Sequence, residues 1–202
     1  MEFETSRTRE NLMRAFAGES QARNRYTFAA SAAKSAGLHG VERVFKMTAD
    51  QEKEHAELFY KNLAQCEGEN IHIDASYPVE NTLWTPDRLL RAAQHNEYEE
   101  AHSVYPAFAQ TARDEGFPTI AALFEQVAAI EQTHGDRFGQ LAQRMEEGKL
   151  YTSGQPVPWL CLNCGHVHYG TEAPPICPVC KHEQGYFVRV ETTEILVQKE
   201  MG

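Results

Sequence analysis

The sequence predicts a mainly α protein: a four-helix bundle with one long crossover, followed by a small β/knuckle domain. Three observations carry this. Residues 1 to about 148 are rich in Ala, Glu, Gln, Arg and Leu, poor in Pro, and repeat apolar residues at helical spacing. The breaks between these segments are short, long and short, the connectivity of a bundle with a single crossover. From about Gln155 the composition changes, with Pro156 and Pro158 interrupting helix and four cysteines within twenty residues.

The first helix is expected from Thr5 or Ser6 to Gly37, with Leu12 and Phe16 on its apolar face. The second runs from about Gly40 to the Gly68 region, with Val44, Phe45, Leu58, Phe59 and Leu63 recurring at helical spacing. The polar stretch GENIHIDASYPVENTLW then forms the long connection. The third helix opens at Thr85-Pro86, a cap followed by proline at the first helical position, and stops at Gly116. The fourth opens at Pro118 and ends at Gly148. A shift of 79 residues pairs Tyr26 with Tyr105, Ala33 with Ala112, Gly37 with Gly116, Phe45 with Phe124, Glu52 with Glu131 and His55 with His134. That register describes a duplicated helical hairpin. After the cysteines, YFVRVETTEILV alternates with β-branched residues like a strand. The expected domains are 1–150 and 156–202.

The 202 residues carry 29 acidic and 19 basic side chains, a formal net charge of −10, and 42% are hydrophobic. Mean hydropathy is −0.54, and no apolar run is long enough for a spanning helix. The charge disfavours nucleic acid and anionic membrane as partners, since neither finds a basic footprint. MEFETSRTRENLMRAF lacks an apolar signal core, which predicts a cytoplasmic protein. Residues 156–202 hold five acidic and three basic side chains, so most of the negative excess lies in the helices.

Two motifs, Glu52-x-x-His55 and Glu131-x-x-His134, each place a carboxylate and an imidazole one turn apart on one helix face. Glu97-x-x-Glu100 pairs two carboxylates in the same way, and Glu19 stands in the first helix. Counted from Gly37 or Gly116, all seven residues lie about 22–29 Å along their helices, at roughly 1.5 Å per residue. They form one layer, and five carboxylates with two imidazoles suit two iron or manganese ions. A single E-x-x-H on a helix is usually solvated surface. Duplication at matching height and the flanking Ala49, Ala56, Ala128, Ala129 and Ile130 argue against that here. Glu54, Glu57 and Glu99 read as ordinary solvated charges.

Cys161-x-x-Cys164 and Cys177-Pro-x-Cys180, twelve residues apart, make two knuckles that can close a tetrahedral four-thiolate site. Zinc there would be a structural staple, whereas iron would be a one-electron carrier. Cys66 stands apart as a bystander.

GESQARNRY (18–26), ADQEKEH (49–55), NEYEE…YPAFA (96–109), the E-x-x-H at 131–134 and CxxCG…CPxC together resemble the rubrerythrin family over nearly the whole chain. The resemblance implies a ferritin-like four-helix bundle followed by a rubredoxin-like domain. It implies two non-haem irons held by Glu19, Glu52, His55, Glu97, Glu100, Glu131 and His134, with Tyr26 and Tyr105 hydrogen-bonding around them. It implies a further iron on Cys161, Cys164, Cys177 and Cys180, where zinc is the possible substitute. The implied activity is peroxidase: hydrogen peroxide reduced to water in oxidative-stress defence, with electrons relayed through the four-cysteine iron. Their upstream source would be a rubredoxin or an NAD(P)H-dependent reductase. A head-to-tail homodimer or higher homo-oligomer is implied too, and a redox-linked exchange in which Glu100 or Glu97 competes with His55 for one iron. The connection around 68–85 and the tail after Gly185 look longer than the family pattern. The rival readings are a ferritin-like ferroxidase or iron-handling protein, and a structural bundle carrying a zinc ribbon.

Overall fold

The computed structural model describes residues 2–81 and 83–190. Helix α1 spans Arg7–Ser35 and α2 spans His39–Lys61. The third long helix is continuous but not uniform: α3 (Pro86–Glu99), a π-helical turn (Glu100–Val104) and α4 (Tyr105–Asp114) follow without a break. Helix α5 spans Pro118–Glu146, and strands β1 (Thr152–Cys161), β2 (Val167–Glu172) and β3 (Phe187–Arg189) complete the fold.

The helix ends follow from local chemistry. Ser6 accepts a hydrogen bond from the Arg9 N–H and caps α1. Gly37 and Gly116 sit at φ 70° and 89°, the left-handed conformation that ends a helix cheaply only at glycine. Beyond each, Leu38 N donates to Ala33 O at 2.9 Å and Phe117 N to Ala112 O at 2.7 Å. The two turns are copies at the shift of 79. Helix α2 ends at Lys61, short of the expected Gly68 region, and a 3-10 turn at Ala64–Cys66 starts the crossover. Beyond that turn the described residues of the crossover have no regular structure and are pinned by side chains: Arg14 Nε donates to Asp74 O at 3.0 Å and Arg25 Nη1 meets Glu80 Oε1 at 2.6 Å.

Two apolar clusters fill the bundle. One, with Tyr26, Val44, Phe45, Leu90 and Phe138, lies toward the Gly37 turn. The other, with Leu12, Phe59, Tyr105 and Phe124, lies toward the Gly116 turn. Between them sits the layer of acidic and imidazole side chains.

The small domain is a three-stranded antiparallel sheet in the order β2-β1-β3. Its first strand opens at Thr152 and contains Pro156 and Pro158. The register with β2 is irregular between Thr152 and Val157, where Pro156 has no N–H to give. Trp159, Cys161, Ala173, Cys177 and Phe187 form its core. Of the strand expected over 186–197, Phe187–Arg189 is strand, and residues 191–197 lie outside the described residues. The domain rests on the Gly37 end of the bundle. Arg43 Nη2 donates to Leu162 O at 3.0 Å, and the His39 and Tyr186 rings lie 3.9 Å apart. Gly185 backs onto the Gly37 carbonyl so closely that no Cβ fits there.

Candidate metal centres

Six of the seven expected bundle residues converge. Glu19, Glu52, His55 and Glu131 form one group with ligand atoms within 4.8 Å of one another, and Glu52, Glu97, Glu131 and His134 form a second. Glu52 and Glu131 belong to both. His55 Nδ1 lies 3.0 Å from Glu52 Oε2 and 2.9 Å from Glu131 Oε1. His134 Nδ1 lies 3.0 Å from Glu52 Oε1 and 2.8 Å from Glu131 Oε2. The two rings stack 5.6 Å apart. The terminal carboxylates are swapped between the tyrosines: the Tyr26 hydroxyl donates to Glu97, and the Tyr105 hydroxyl to Glu19. The repeat in the sequence thus becomes a two-fold related pair of half-sites.

One departure from that symmetry has a visible cause. The shift of 79 carries Glu19 onto Tyr98, not Glu97. Seven residues separate Glu19 from Tyr26, and eight separate Glu97 from Tyr105. The extra residue sits in the π-helical turn, where Tyr105 N donates to Glu100 O. That wider turn absorbs one residue and keeps Glu97 on the inward face. The offset in the repeat was the available signal for it.

Glu100 stands outside both groups, half-buried. It lines a cavity of about 210 Å³ together with Gly18, Arg25, Tyr77, Glu99 and Tyr105. Crossover residues 75–78 wall this cavity on the outside. Of the two carboxylates expected opposite His55, Glu97 is grouped instead with His134, 3.6 Å from its Nδ1, because the π-helical turn rotates it to that side. Glu54, Glu57 and Glu99 are exposed, as expected.

The donor set fits cations. Glu19, Glu52, Glu97 and Glu131 are each at most 1% exposed. Glu19 Oε2, Glu52 Oε1, Glu97 Oε2, both Glu131 oxygens and both His134 nitrogens have no hydrogen-bond partner. His134 Nδ1 is close to two carboxylates, but not in hydrogen-bonding alignment. Charged oxygens left this way in a protein interior are very costly unless a cation joins them. The titration directions agree. Burial, then the neighbouring carboxylates, pushes the Glu19 and Glu97 carboxyls well up. Burial would lower His55, yet Glu131 and Glu52 raise it to about 10. Burial would raise Glu52, yet His134 and His55 hold it below the ordinary range. Left to themselves, these side chains gather protons where metal charge belongs.

The four cysteines converge likewise, with all four sulfurs within 4.8 Å of one another. Cys161 and Cys180 Sγ are 3.7 Å apart, as are Cys164 and Cys177 Sγ. Each knuckle turns through a left-handed residue, Gly165 at φ 77° and Lys181 at φ 65°. The N–H of His182 helps to draw Cys180 down to about 5. The N–H of His166 favours the Cys164 thiolate, yet burial and its sulfur neighbours push it up to about 12. Thiols this crowded keep protons that one tetrahedral ion would replace. Cys164 is exposed, so one edge of the centre faces solvent, while Cys66 is buried and remote from it.

Sequence reasoning missed Arg137, a buried cation one turn beyond His134. It also missed the cavity, because neither the lining of a cavity nor an unpaired arginine has a periodic signature.

The family model for rubrerythrin matches residues 10–142, and that for the rubrerythrin rubredoxin-like domain matches residues 159–188. The chain is 46% identical to rubrerythrin of Clostridium perfringens over 183 residues, 90% of this chain and 93% of the relative. It is 42% identical to rubrerythrin of Nitratidesulfovibrio vulgaris over 184 residues, with the same coverage. Among solved structures, the mixed-valence state of nigerythrin superposes with a TM-score of 0.61 at 29% identity, over 90% of this chain and 86% of that one. Desulfovibrio desulfuricans bacterioferritin gives a TM-score of 0.64 over 71% and 82%, at 20% identity, a likeness of fold alone. The bundle is therefore ferritin-like and the small domain rubredoxin-like. With both carboxylate–imidazole half-sites, the four-cysteine knuckles and their order along the chain all accounted for, this protein belongs to the rubrerythrin family.

Proposed function

We propose that the chain is a non-haem di-iron peroxidase that reduces hydrogen peroxide to water in the cytoplasm, as part of oxidative-stress defence. In this reading Glu19, Glu52, His55 and Glu131 hold one iron, and Glu52, Glu97, Glu131 and His134 hold the other. Two adjacent ferrous ions supply, when bound, the two electrons that break the O–O bond. The observation that carries the reading is the pairing of two half-sites sharing Glu52 and Glu131 with a separate four-thiolate centre. A storage bundle has no use for such a one-electron carrier.

The side chains have defined work. Tyr26 and Tyr105 donate their phenol protons to Glu97 and Glu19 and fix the outer carboxylates. Glu100 stands where the cavity meets the layer, its carboxyl pushed up by burial and by Glu131 and Glu52. It is the group placed to hold a proton beside an entering small polar molecule, and the one carboxylate free to exchange with His55. Tyr77 and Pro78 narrow the cavity from outside, which suits a substrate of a few atoms.

The four-cysteine domain contacts α2 through Arg43, nine to twelve residues from Glu52 and His55. That is about 14–18 Å of helix beyond the contact, at 1.5 Å per residue. A head-to-tail copy bringing a second four-cysteine centre to the middle of the bundle would shorten the transfer. A rubredoxin or an NAD(P)H-dependent reductase would refill that centre.

The test is anaerobic. The fully reduced protein is mixed with peroxide or with oxygen, and reoxidation is followed in the visible spectrum. Faster oxidation by peroxide is expected. Oxidation no faster than by oxygen would refute the peroxidase and favour a ferroxidase. A colourless protein as purified would mark the four-cysteine site as a zinc staple.

A further inference from the structure

Arg137 lies on α5, one turn beyond His134, and is 5% exposed. A buried guanidinium ordinarily meets a carboxylate. Arg137 has none within ion-pairing distance among the described residues. Its Nη1 donates to Thr48 Oγ1 at 3.4 Å and to Gln51 Oε1 at 3.2 Å, both neutral groups on α2. Its Nε has no partner. Thr48 lies one turn before Glu52, and Gln51 is its neighbour, so the guanidinium stands directly behind the carboxylate layer. Glu97 and Glu52 are the charges that act on it most strongly.

We infer that Arg137 is a positioning residue for the two-ion site: a fixed buried positive charge that acts on the layer from behind without ligating or pairing with it. The inference rests on reading that layer as a two-metal site. Glu19, Glu52, Glu97 and Glu131 bring four negative charges and two divalent ions return four positive ones, so the guanidinium adds one fixed positive charge beyond that balance. Holding Arg137 on neutral oxygens keeps it from drawing Glu52 or Glu97 out of the donor set. It also sets a preference between redox states. Each further positive charge on the ions is repelled by the guanidinium, so the site favours the ferrous pair.

The test compares Arg137→Met, Arg137→Gln and Arg137→Lys in the full chain, with the four-cysteine site already filled by zinc. Cobalt(II) is titrated into the bundle by calorimetry, and the midpoint potential of the iron-loaded protein is read by redox titration. Both neutral variants should bind cobalt(II) more tightly, by about tenfold or more, since one unit charge acting on a divalent ion at an effective dielectric of about 20 has at least that effect at any separation under about 20 Å. Their iron midpoint potentials should fall. Arg137→Lys should bind and titrate as the wild type does. Arg137→Gln keeps a polar amide that can still donate hydrogen bonds in this pocket, so it remains informative if the methionine variant does not fold. Unchanged affinity and potential in a folded neutral variant would overturn the inference, as would the lysine variant shifting like the neutral ones. Wild-type protein that fails to take two ions into the bundle would instead overturn the site reading, and this inference with it.

Discussion

Gly135 and Gly139 face α3 one turn apart on α5, and alanine at the two positions should have opposite effects. A Cβ on Gly135 would stand 2.5 Å from Cδ1 and Cε1 of Tyr98 and 3.4 Å from Cβ of Glu97. The Tyr98 ring is tethered, its hydroxyl donating to Asp136 Oδ1 at 2.7 Å and accepting from Gln94 Nε2 at 3.4 Å. In an open helical position alanine is better than glycine by about 1 kcal/mol. At Gly135 the methyl must either dislodge the ring, losing a hydrogen bond to a carboxylate of about 1.5 kcal/mol or more, or spread α3 from α5 at an overpacking cost of about 1–3 kcal/mol. The net expectation is a loss of about 0.5–2 kcal/mol. At Gly139 the obstruction is the far end of the Gln94 side chain, which can turn toward solvent at the loss of its contact with Arg91 and its long bond to the Tyr98 hydroxyl. About 0.5 kcal/mol of the helical gain should survive there. For a chain of this size each kcal/mol moves the melting temperature by about 2–4 °C. Thermal melts of the metal-loaded protein, followed by far-ultraviolet circular dichroism, should put Gly135→Ala below wild type and Gly139→Ala slightly above. Metal uptake should weaken in Gly135→Ala alone, because spreading the helices separates Glu97 from His134. A Gly135→Ala protein as stable and as fully loaded as wild type would refute the close-approach argument.

Glu115 accepts from the N–H groups of Arg7 and Thr8 at 3.0 and 2.8 Å and from the Thr8 hydroxyl at 2.6 Å, capping α1 from the opposite hairpin. Burial would raise its carboxyl, but Thr8 and those N–H groups hold it below the ordinary value of 4.5. Its stabilisation is therefore present above that value and lost as pH falls through the lowered one. Glu115→Gln should cost about 1–2 kcal/mol in urea unfolding at neutral pH, and the gap from wild type should close in acid. Tyr26→Phe and Tyr105→Phe each strip a buried carboxylate of its donor. Equal losses of about 1–3 kcal/mol are expected, since the half-sites are copies, and unequal ones would contradict the two-fold relation. Cys161→Ser should remove the four-cysteine metal and turnover with an external reductant while metal analysis still finds two ions in the bundle. Joint loss of both centres would show that the domains do not fold independently.

Much of this was legible in the residues. Three of the four long helices end where glycines and prolines predicted. Tyr26 with Tyr105, and Glu52-x-x-His55 with Glu131-x-x-His134, announce the duplication in the residues alone. Where the reading fell short, a non-local effect intervened. Helix α2 ended early because the crossover, pinned by Arg14 and Arg25 of α1, leaves at Lys61 whatever the local propensity. Strand β1 runs through Pro156 and Pro158 because its pairing with β2 resumes at Val157 and β3 joins it from Trp159 on.

The sequence by itself determined the residue types, their heights along the helices and the pairing of the cysteines into knuckles, because one-turn spacing and CxxC geometry are local properties of a chain. Tertiary structure alone decided which carboxylates meet. It put Glu52 and Glu131 between both imidazoles, turned Glu97 toward His134 through the π-helical turn, left Glu100 at the cavity, and placed Arg137 behind the layer on neutral oxygens. Those choices depend on how each helix is rotated about its axis, and that rotation is set by packing of apolar faces from distant parts of the chain.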